Sequence, residues 1–257
     1  MTEADKGLES MARHVRASLV AGIPVAATQL NTAADFLIAG QPSGADGMGS
    51  VRLVNAWSVV CAHDDPAYLA VMTGPGVNLP DGRPVARRVR RKARNAEQVR
   101  GPALFRTVLD RGRDKGTRHF FLGASESTLD MLVQEVTAQY PGTTIAGTHA
   151  PPYTDDISQL VTYCAGAIEG VEADVIWLSL GTPKQDLVAA RLAQQRRGWI
   201  VGIGAAFDFV AGTVPEAPTW LRRIGLEWLY RLAREPRRLW RRYLYGNSRF
   251  LWLAARR

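Results

Sequence analysis

The strongest constraint on the fold of this chain is an alternation of strand-like and helix-like segments between residues 51 and 205. Short apolar runs predict strands, and stretches with helix caps and helical periodicity lie between them. A continuous apolar run of strand length is typical of a strand buried on both faces of a parallel sheet. The predicted strands are Val51–Ala56, His119–Leu122, Thr143–Gly147, Asp174–Leu180 and Trp199–Ala205. The pattern therefore predicts an α/β fold with a Rossmann-like, mostly parallel sheet flanked by helices.

Caps and breakers predict the helices between these strands. Ser125 is placed to cap a helix that runs to about Tyr140. A second helix is predicted over Asp155–Ile168. A third, with proline as its first residue, is predicted over Pro183–Arg197.

The charge of the chain is concentrated at its C-terminus. The last 36 residues, Arg222–Arg257, contain eleven arginines and two acids, so they carry a formal charge of +9. The whole chain carries +8, so the preceding 221 residues are together nearly neutral. We therefore predict a basic helical appendage over residues 213–257, a core over residues 14–212 and a flexible N-terminus over residues 1–13.

A proline divides the helical pattern of the appendage. Pro236 starts a helix more easily than it continues one, so two short helices are predicted to meet near Glu235. Five arginines recur at spacings of three and four and are predicted to share one helix face. They are Arg231, Arg234, Arg238, Arg241 and Arg242. The outer arginines are expected to be solvated or to contact anionic lipid. They are Arg222, Arg223, Arg249, Arg256 and Arg257.

The sequence predicts a cytoplasmic protein. Residues 1–6 contain acids and no apolar segment of the kind that secretory signals have. No apolar run approaches the ~18 residues that a membrane span needs. The two cysteines, Cys61 and Cys164, lie in apolar stretches without metal-ligand spacing, which favours buried thiols in a reducing compartment.

Several motifs that would indicate other chemistry are missing from the sequence. There is no GxxxxGK[ST], no GxGxxG before a helix and no HExxH, and the four histidines are scattered. No Asp-x-Asp follows a strand, so we expect no metal-diphosphate site. If the substrate carries a diphosphate, arginines are expected to neutralise it.

Candidate binding residues follow the predicted strands, because ligands of open α/β sheets bind beyond the carboxyl ends of strands. Asn55 follows the first strand, Gly123 the second and His149 the third. Gln185 and Asp208 follow the fourth and fifth. Any one of these turns taken alone is better explained as an ordinary polar loop. Five at one sheet edge favour a substrate site.

Pro80-Asp81-Gly82 is a strong turn sequence. One interpretation is a surface turn in which the aspartate bonds its own backbone. The other is a carboxylate held by a rigid turn as a general base.

Several segments taken together resemble a known family. They are Leu180–Asp186, Val201–Gly212, Ala217–Pro218, Gly225–Leu232 and Glu235–Arg238, with Pro80–Gly82 and Gly147–His149 in the matching order. Over roughly Val51–Leu244 the chain resembles the WecG/TagA/CpsF glycosyltransferases, glycosyltransferase family 26. The resemblance implies a metal-independent, inverting enzyme that lies on the inner face of the cell membrane.

The resemblance also implies substrates and residue roles. The donor would be a UDP-sugar of the N-acetylhexosamine or hexose type, with no other cofactor. The acceptor would be a polyprenyl-diphosphate-linked saccharide used in cell-surface polysaccharide synthesis. Asp81 matches the general base, and Asn55 and Gln185 match residues of the pocket. The arginines that match those closing over the diphosphate are Arg231, Arg238 and Arg241.

The chain departs from the family pattern at several positions. Leu53 stands where threonine is common, Glu216 replaces an arginine, and Asp186 shortens a glutamate. Gln98 stands where another arginine is expected, although Arg100 is near. These departures leave the sugar open and keep a non-catalytic membrane scaffold as an alternative. Arginines with interleaved aromatics also suit a nucleic-acid-binding module, but the nearly neutral remainder of the chain and the lack of a known motif count against nucleic acid. Whether the protein is a homo-oligomer stays open.

Overall fold

A six-stranded, all-parallel sheet forms the centre of the computed structural model, which describes residues 17–39, 49–195 and 198–255. Numbered along the chain, the strands are β1 (Ala17–Val20), β2 (Ile23–Ala26), β3 (Ser50–Val54), β4 (Val77–Pro80), β5 (Arg118–Gly123), β6 (Thr144–His149), β7 (Val175–Ser179) and β8 (Trp199–Gly202). Strands β3 to β8 lie in the order β4-β3-β8-β7-β5-β6, and β1 and β2 form a separate antiparallel hairpin. The predicted α/β fold with a parallel sheet is confirmed.

Helices cover both faces of the sheet and continue to the end of the described chain. They are α1 (Leu30–Ala39), α2 (Ala56–Asp64), α3 (Pro66–Thr73), α4 (Arg83–Lys92), α5 (Gly101–Gly112), α6 (Glu126–Gln139), α7 (Ile157–Ile168), α8 (Lys184–Leu192), α9 (Ala206–Val210), α10 (Thr219–Ile224), α11 (Glu227–Arg234), α12 (Pro236–Trp240) and α13 (Gly246–Ala255). A 3₁₀ turn, Arg113–Lys115, follows α5, and a π-helical segment, Arg241–Tyr245, joins α12 to α13.

The strands bury side chains on both faces because successive residues of a strand point to opposite sides. On one face Leu53, Phe121 and Trp177 pack with residues of α1, α5, α6 and α9. On the other face Val54 packs with residues of α2, α3 and α4, and Leu178 packs with residues of α7 and α8. The continuous apolar runs in the sequence therefore reflect burial on two sides.

The last helix, α13, belongs to the packed interior. Phe250 and Ala254 are buried in the same apolar cluster as Val59 of α2 and Tyr68 of α3. At the start of α13, a Cβ on Gly246 would lie 2.9 Å from the ring of Trp57, so α13 approaches α2 closely. The last described helix is thus fixed against the β3–α2 region.

The structure agrees with most predicted elements and corrects others. All five predicted strands are present, and Ser125 caps α6 by accepting a hydrogen bond from the Thr128 backbone at 3.2 Å. The prediction missed β4, which contains an asparagine and a proline, and the β1–β2 hairpin. The helix predicted over Pro183–Arg197 is shorter, since α8 ends at Leu192 and turns follow it.

The appendage contains more elements than predicted. The two predicted helices, α11 and α12, do meet at Glu235, but α10 precedes them and the π-helical segment and α13 follow them. The arginines at spacings of three and four therefore do not share one continuous helix, which corrects the prediction. The division between a core over residues 14–212 and an appendage over residues 213–257 stays a prediction. The predicted flexible segment, residues 1–13, lies outside the described residues.

Candidate active site

A cleft of about 1040 Å³ opens at the carboxyl ends of four neighbouring strands, β4, β3, β8 and β7. Loops that follow these strands line it from the sheet side, and residues of α10 to α13 complete the lining. Seven of the nine predicted site residues line this one cleft. They are Asn55, Asp81, Gln185, Asp208, Arg231, Arg238 and Arg241.

Asn55 is positioned by capping α2. Its side-chain oxygen accepts hydrogen bonds from the backbone N–H groups of Trp57 at 3.0 Å and Ser58 at 3.2 Å. The Ser58 hydroxyl accepts a bond from the Asn55 N–H at 2.9 Å, which completes a capping box. Because the oxygen is occupied by the helix, the amide nitrogen is left to face the cleft. It donates to the Asp81 carboxylate at 3.4 Å.

Asp81 lies between the end of β4 and the start of α4, and its backbone is held on both sides. The N–H groups of Asp81 and Gly82 donate to the Val54 carbonyl at 3.0 and 3.2 Å. The Gln98 side chain donates to the Asp81 carbonyl. The Pro-Asp-Gly turn thus connects a strand to a helix and presents its carboxylate to the cleft and to Asn55.

The environment of Asp81 raises the pKa of its carboxyl group above the ordinary value of 3.8. Burial is the largest cause, and the negative charge of Glu227 acts in the same direction. The positive charges of Arg100 and Arg242 and the Asn55 hydrogen bond lower the pKa and only partly offset this rise. A carboxylate with a raised pKa is a stronger base and is better suited to accept a proton from a hydroxyl.

Arg100 connects the core to the appendage beside Asp81. Its guanidinium donates to Glu227 at 2.8 Å and lies 3.5 Å from Glu216. Glu216 also pairs with Arg106 at 3.1 Å and with Arg222 at 3.7 Å. The glutamate that replaces an expected arginine is therefore neutralised by three arginines. Long-range pairs of this kind leave no spacing signal in the sequence, and the sequence analysis noted Arg100 only as an arginine close to Gln98.

Gln185 ties α8 to the loop after β8. Its side-chain oxygen accepts a hydrogen bond from the Gly204 N–H at 2.9 Å, and the residue is only 2% exposed. Gln185 therefore fixes the wall of the cleft at the end of β8 and also contributes to its lining.

Asp186, the next residue, points away from the cleft into a buried polar group. Its carboxylate accepts a hydrogen bond from the Tyr68 hydroxyl at 2.5 Å. Burial raises the pKa of Asp186 to about 6, although the Tyr68 bond and the nearby charge of Arg52 both lower it. Arg52 is itself buried and donates to the Pro75 carbonyl at 2.8 Å. This group connects β3, α3 and α8 beneath the site.

The three arginines carried over from the family resemblance all reach the cleft. Arg231 lies over the Phe209 ring, 5.1 Å from its centroid, and Arg238 pairs with Glu235 at 2.9 Å. Arg241 lies in the π-helical segment. Arg242 lines the cleft as well and acts on Asp81, which makes it a site residue that the sequence predictions did not include.

Other appendage arginines lie elsewhere than predicted. Arg234 lies over the Tyr230 ring and does not line the cleft. It therefore does not share a face with the cleft arginines, contrary to the prediction from the spacing. Arg222 lines the cleft, and Arg249 pairs with Asp64 at 2.6 Å. These two were expected to be solvated or to face lipid, and both instead pair with carboxylates. Arg223 is exposed, and residues 256–257 lie outside the described residues.

Asp208 lies at the start of α9 near the appendage arginines. Burial raises the pKa of its carboxyl group above the ordinary value, while Arg238 and Arg231 lower it. The backbone carbonyl of Asp208 accepts a hydrogen bond from the Thr213 hydroxyl at 3.1 Å. Asp208 thus supplies a negative charge close to two of the cleft arginines.

A second group of arginines lines the cleft from α4. Arg83, Arg87, Arg88 and Arg91 all belong to its lining. The nearly neutral net charge of the first 221 residues therefore conceals a second basic segment. The signal was present as six basic residues in the ten of α4, but the acids elsewhere in the first 221 residues cancelled it in the net charge.

Two predicted residues do not line the cleft. Gly123 packs β5 against β7, since a Cβ there would lie 2.6 Å from the Ser179 carbonyl oxygen, and its neighbour Ala124 lines the cleft instead. His149 ends the edge strand β6 and lines a separate cavity of about 280 Å³ with Glu126. His149 was a candidate because ligands bind beyond the carboxyl ends of strands. The strand order, which the sequence does not show, places β6 at the outer side of the sheet, away from the strands that border the cleft.

No cluster of three or more His, Cys, Asp or Glu side chains suited to a metal ion occurs within residues 17–39, 49–195 and 198–255. In the same part of the chain, no helix has both the length and the apolar character needed to cross a bilayer.

Comparison with known proteins identifies the family. The sequence pattern of the Glycosyl transferase WecG/TagA/CpsF family matches residues 18–257. The chain belongs to this family. The resemblance predicted from the sequence is confirmed, and the protein is a glycosyltransferase.

Two similar proteins of the family have the same name, N-acetylglucosaminyldiphosphoundecaprenol N-acetyl-beta-D-mannosaminyltransferase. The protein from Bacillus subtilis is 30% identical over 196 residues, which cover 76% of this chain and 74% of the relative. The protein from Bacillus spizizenii is 31% identical over 185 residues, which cover 71% and 70%.

Proposed function

We propose that the protein transfers an N-acetylhexosamine or a hexose from a UDP-sugar to a polyprenyl-diphosphate-linked saccharide, with inversion at the sugar and without a metal ion or other cofactor. The reaction would serve the assembly of a cell-surface polysaccharide. The observation that carries the proposal is the convergence of Asp81 and the appendage arginines on one cleft. The names of the two relatives support N-acetylmannosamine as the first sugar to test and diphosphate-linked N-acetylglucosamine as the first acceptor.

The chemistry is a single displacement. The acceptor hydroxyl gives its proton to the Asp81 carboxylate while its oxygen forms a bond to the anomeric carbon of the donor sugar. The bond from that carbon to the diphosphate oxygen breaks, and UDP leaves with the electron pair. Asn55 supports this role because its amide, fixed by the α2 cap, orients the carboxylate.

The leaving diphosphate needs positive charge, which the appendage supplies in this proposal. Arg231, Arg238 and Arg241 line the cleft, and a guanidinium binds phosphate oxygens through paired hydrogen bonds and stays charged. Arg231 is prepared for this by its position over Phe209, which restricts its side chain before the substrate arrives.

We further propose that the protein acts at the inner face of the cell membrane as a peripheral protein. The appendage exposes large apolar and aromatic side chains together with arginines, a combination suited to an anionic lipid surface. The exposed apolar residues are Trp220, Ile224, Leu229, Trp240, Leu244, Tyr245, Leu251 and Trp252.

The test is a panel of UDP-sugars incubated with a prenyl-diphosphate-linked N-acetylglucosamine in detergent. We expect UDP release and a disaccharide product with one or a few donors, unchanged by a metal chelator. Binding of UDP without transfer from any donor would favour the non-catalytic scaffold instead. Steeply salt-dependent binding to random oligonucleotides without a response to UDP would favour a nucleic-acid-binding module.

A further inference from the structure

The α4 helix carries an unusual concentration of unpaired positive charge next to the proposed general base. It contains five arginines and one lysine in ten residues and begins two residues after Asp81. Its apolar side, formed by Val85, Ala86 and Val89, is buried in the core. Like charges at such close spacing destabilise a helix, so an anion bound to them would relieve the repulsion.

Three of these arginines face the cleft and have no polar partner among the residues that the structure describes. Arg87, Arg88 and Arg91 line the cleft, and none of them makes a hydrogen bond or an ion pair with a residue that the structure describes. Two arginines on the other side of the cleft are differently placed. Arg231 lies over Phe209, and Arg238 pairs with Glu235. The cleft therefore has two separate arginine groups, and the three arginines in the middle and last turns of α4 are available to bind an anion.

The first arginine of α4 has a different role. Arg83 donates to the backbone carbonyl of Arg222 at 2.8 Å and also to that of Arg223, so it attaches α4 to the C-terminal end of α10. The next residue of α10, Ile224, lines the cleft and is 58% exposed. An apolar surface therefore lies beside the α4 arginines at the rim of the cleft.

We propose that Arg87, Arg88 and Arg91 bind the diphosphate of the lipid-linked acceptor, and that its prenyl chain leaves the cleft past Ile224. This inference rests on the proposed function, in which both substrates carry a diphosphate and each needs its own cationic site. From Arg83 to Arg91 the helix extends about 12 Å away from Asp81. An acceptor whose hydroxyl meets Asp81 places its diphosphate one sugar ring away, along the first turns of α4.

The outer side of α4 and the turn that follows it provide a matched control. Arg90, Lys92 and Arg94 are exposed, carry the same total charge and do not line the cleft. The triple variant R87Q/R88Q/R91Q is compared with R90Q/K92Q/R94Q, in which the same charge is removed from the outer surface. Glutamine keeps the helix propensity close to that of arginine, and thermal melts of both variants check folding.

The first experiment measures steady-state transfer in detergent, with prenyl-diphosphate-linked N-acetylglucosamine as acceptor. In the R87Q/R88Q/R91Q variant we expect the KM for the acceptor to rise at least about tenfold, because one or more charge-assisted hydrogen bonds to the diphosphate are lost. The KM for the UDP-sugar should stay within about twofold of the wild-type value. The outer variant should match the wild type. An unchanged acceptor KM with weakened binding to anionic vesicles would show a membrane contact instead, and a raised KM for the UDP-sugar would assign α4 to the donor. Either result overturns the proposal.

The second experiment does not depend on turnover. Binding of farnesyl diphosphate and farnesyl monophosphate to the full chain is followed by tryptophan fluorescence. We expect tighter binding of the diphosphate to the wild type and to the outer variant, and loss of this preference in R87Q/R88Q/R91Q. If no donor supports transfer but the preference behaves in this way, the proposed function fails and the anion site stands. If the wild type shows no preference, or the preference survives in R87Q/R88Q/R91Q, the site is refuted.

Discussion

Arg100, at the N-terminal boundary of α5, donates to Glu227 in the first turn of α11 at 2.8 Å, and the charges of both residues act on the Asp81 carboxylate. One ion pair thus connects the position of the appendage to the basicity of the proposed catalytic group. Burial and Glu227 raise the pKa of Asp81, and Arg100 lowers it.

Substitution of either Arg100 or Glu227 should therefore change the pH at which kcat/KM falls. The base acts in its deprotonated form, so kcat/KM should fall on acidification through a pKa higher than the ordinary 3.8 of aspartate. Glu227→Gln removes a negative charge and should move this acidic limb to lower pH. Arg100→Gln removes a positive charge and should move it to higher pH. If the acidic limb moved in the same direction in both variants, its assignment to Asp81 would be contradicted.

Removal of the base itself should affect the chemical step. Asp81→Asn keeps the size of the side chain but cannot accept the proton, so we expect kcat to fall by about 10²- to 10⁴-fold. Binding of the UDP-sugar, measured by calorimetry, should persist. Asp155→Asn, an exposed carboxylate outside the cleft, serves as the control. A near-normal kcat for D81N would remove Asp81 from the mechanism.

Two arginines on α11 form a matched pair for testing the donor site. Arg231 lies over Phe209 in the cleft, and Arg234 lies over Tyr230 outside it. Arg231→Gln should raise the KM for the UDP-sugar by about 10- to 100-fold, because it removes one charge-assisted hydrogen bond that contributes about 1.5–3 kcal/mol. Arg234→Gln should have little effect. Equal effects of the two changes would mean that the appendage acts only through its net charge.

The buried group beneath the site should make stability depend on pH. Tyr68→Phe removes the hydroxyl that donates to Asp186 and should cost about 1–3 kcal/mol of unfolding free energy. The folded-state pKa of Asp186, about 6, lies above its ordinary value of 3.8, so ionisation of this group lowers stability as pH rises between the two. Loss of the donor raises that pKa further. The difference between Y68F and wild type in urea unfolding should therefore be larger at about pH 8 than at about pH 5. A pH-independent difference would contradict this interpretation.

The last helix should contribute to global stability. Phe250→Ala creates a cavity in the cluster that contains α2 and α3 and should cost about 3–5 kcal/mol. Leu244→Ala, at a side chain that is 54% exposed, should change stability by no more than about 0.5 kcal/mol. A small effect of F250A in thermal melts would show that α13 is only loosely attached.

The parts of the structure that the sequence predicted are those with local signals. Continuous apolar runs predicted five of the six sheet strands, and strand ends predicted Asn55, Gln185 and Asp208 in the cleft. The Pro-Asp-Gly turn identified Asp81. Each of these signals depends on residues that are close together in the chain.

The parts that were missed depend on long-range order. The place of β6 at the sheet edge moved His149 out of the cleft, and strand order has no local signal. The pairs of Arg100 with Glu227 and of Tyr68 with Asp186 join residues 127 and 118 positions apart. The arginines of α4 are plain in the sequence, but acids elsewhere in the first 221 residues cancel their charge in the net charge of that segment.

The anchoring of α13 has a consequence for variants in which the chain is shortened. Arg83 holds α10 to α4 at one end, and Phe250 holds α13 in the interior at the other. The helices between them are thus suspended between two fixed points and cannot swing away as a free arm. A C-terminal truncation that removes α13 would therefore damage the fold and the cleft together, so loss of activity in such a variant would not isolate the function of the appendage.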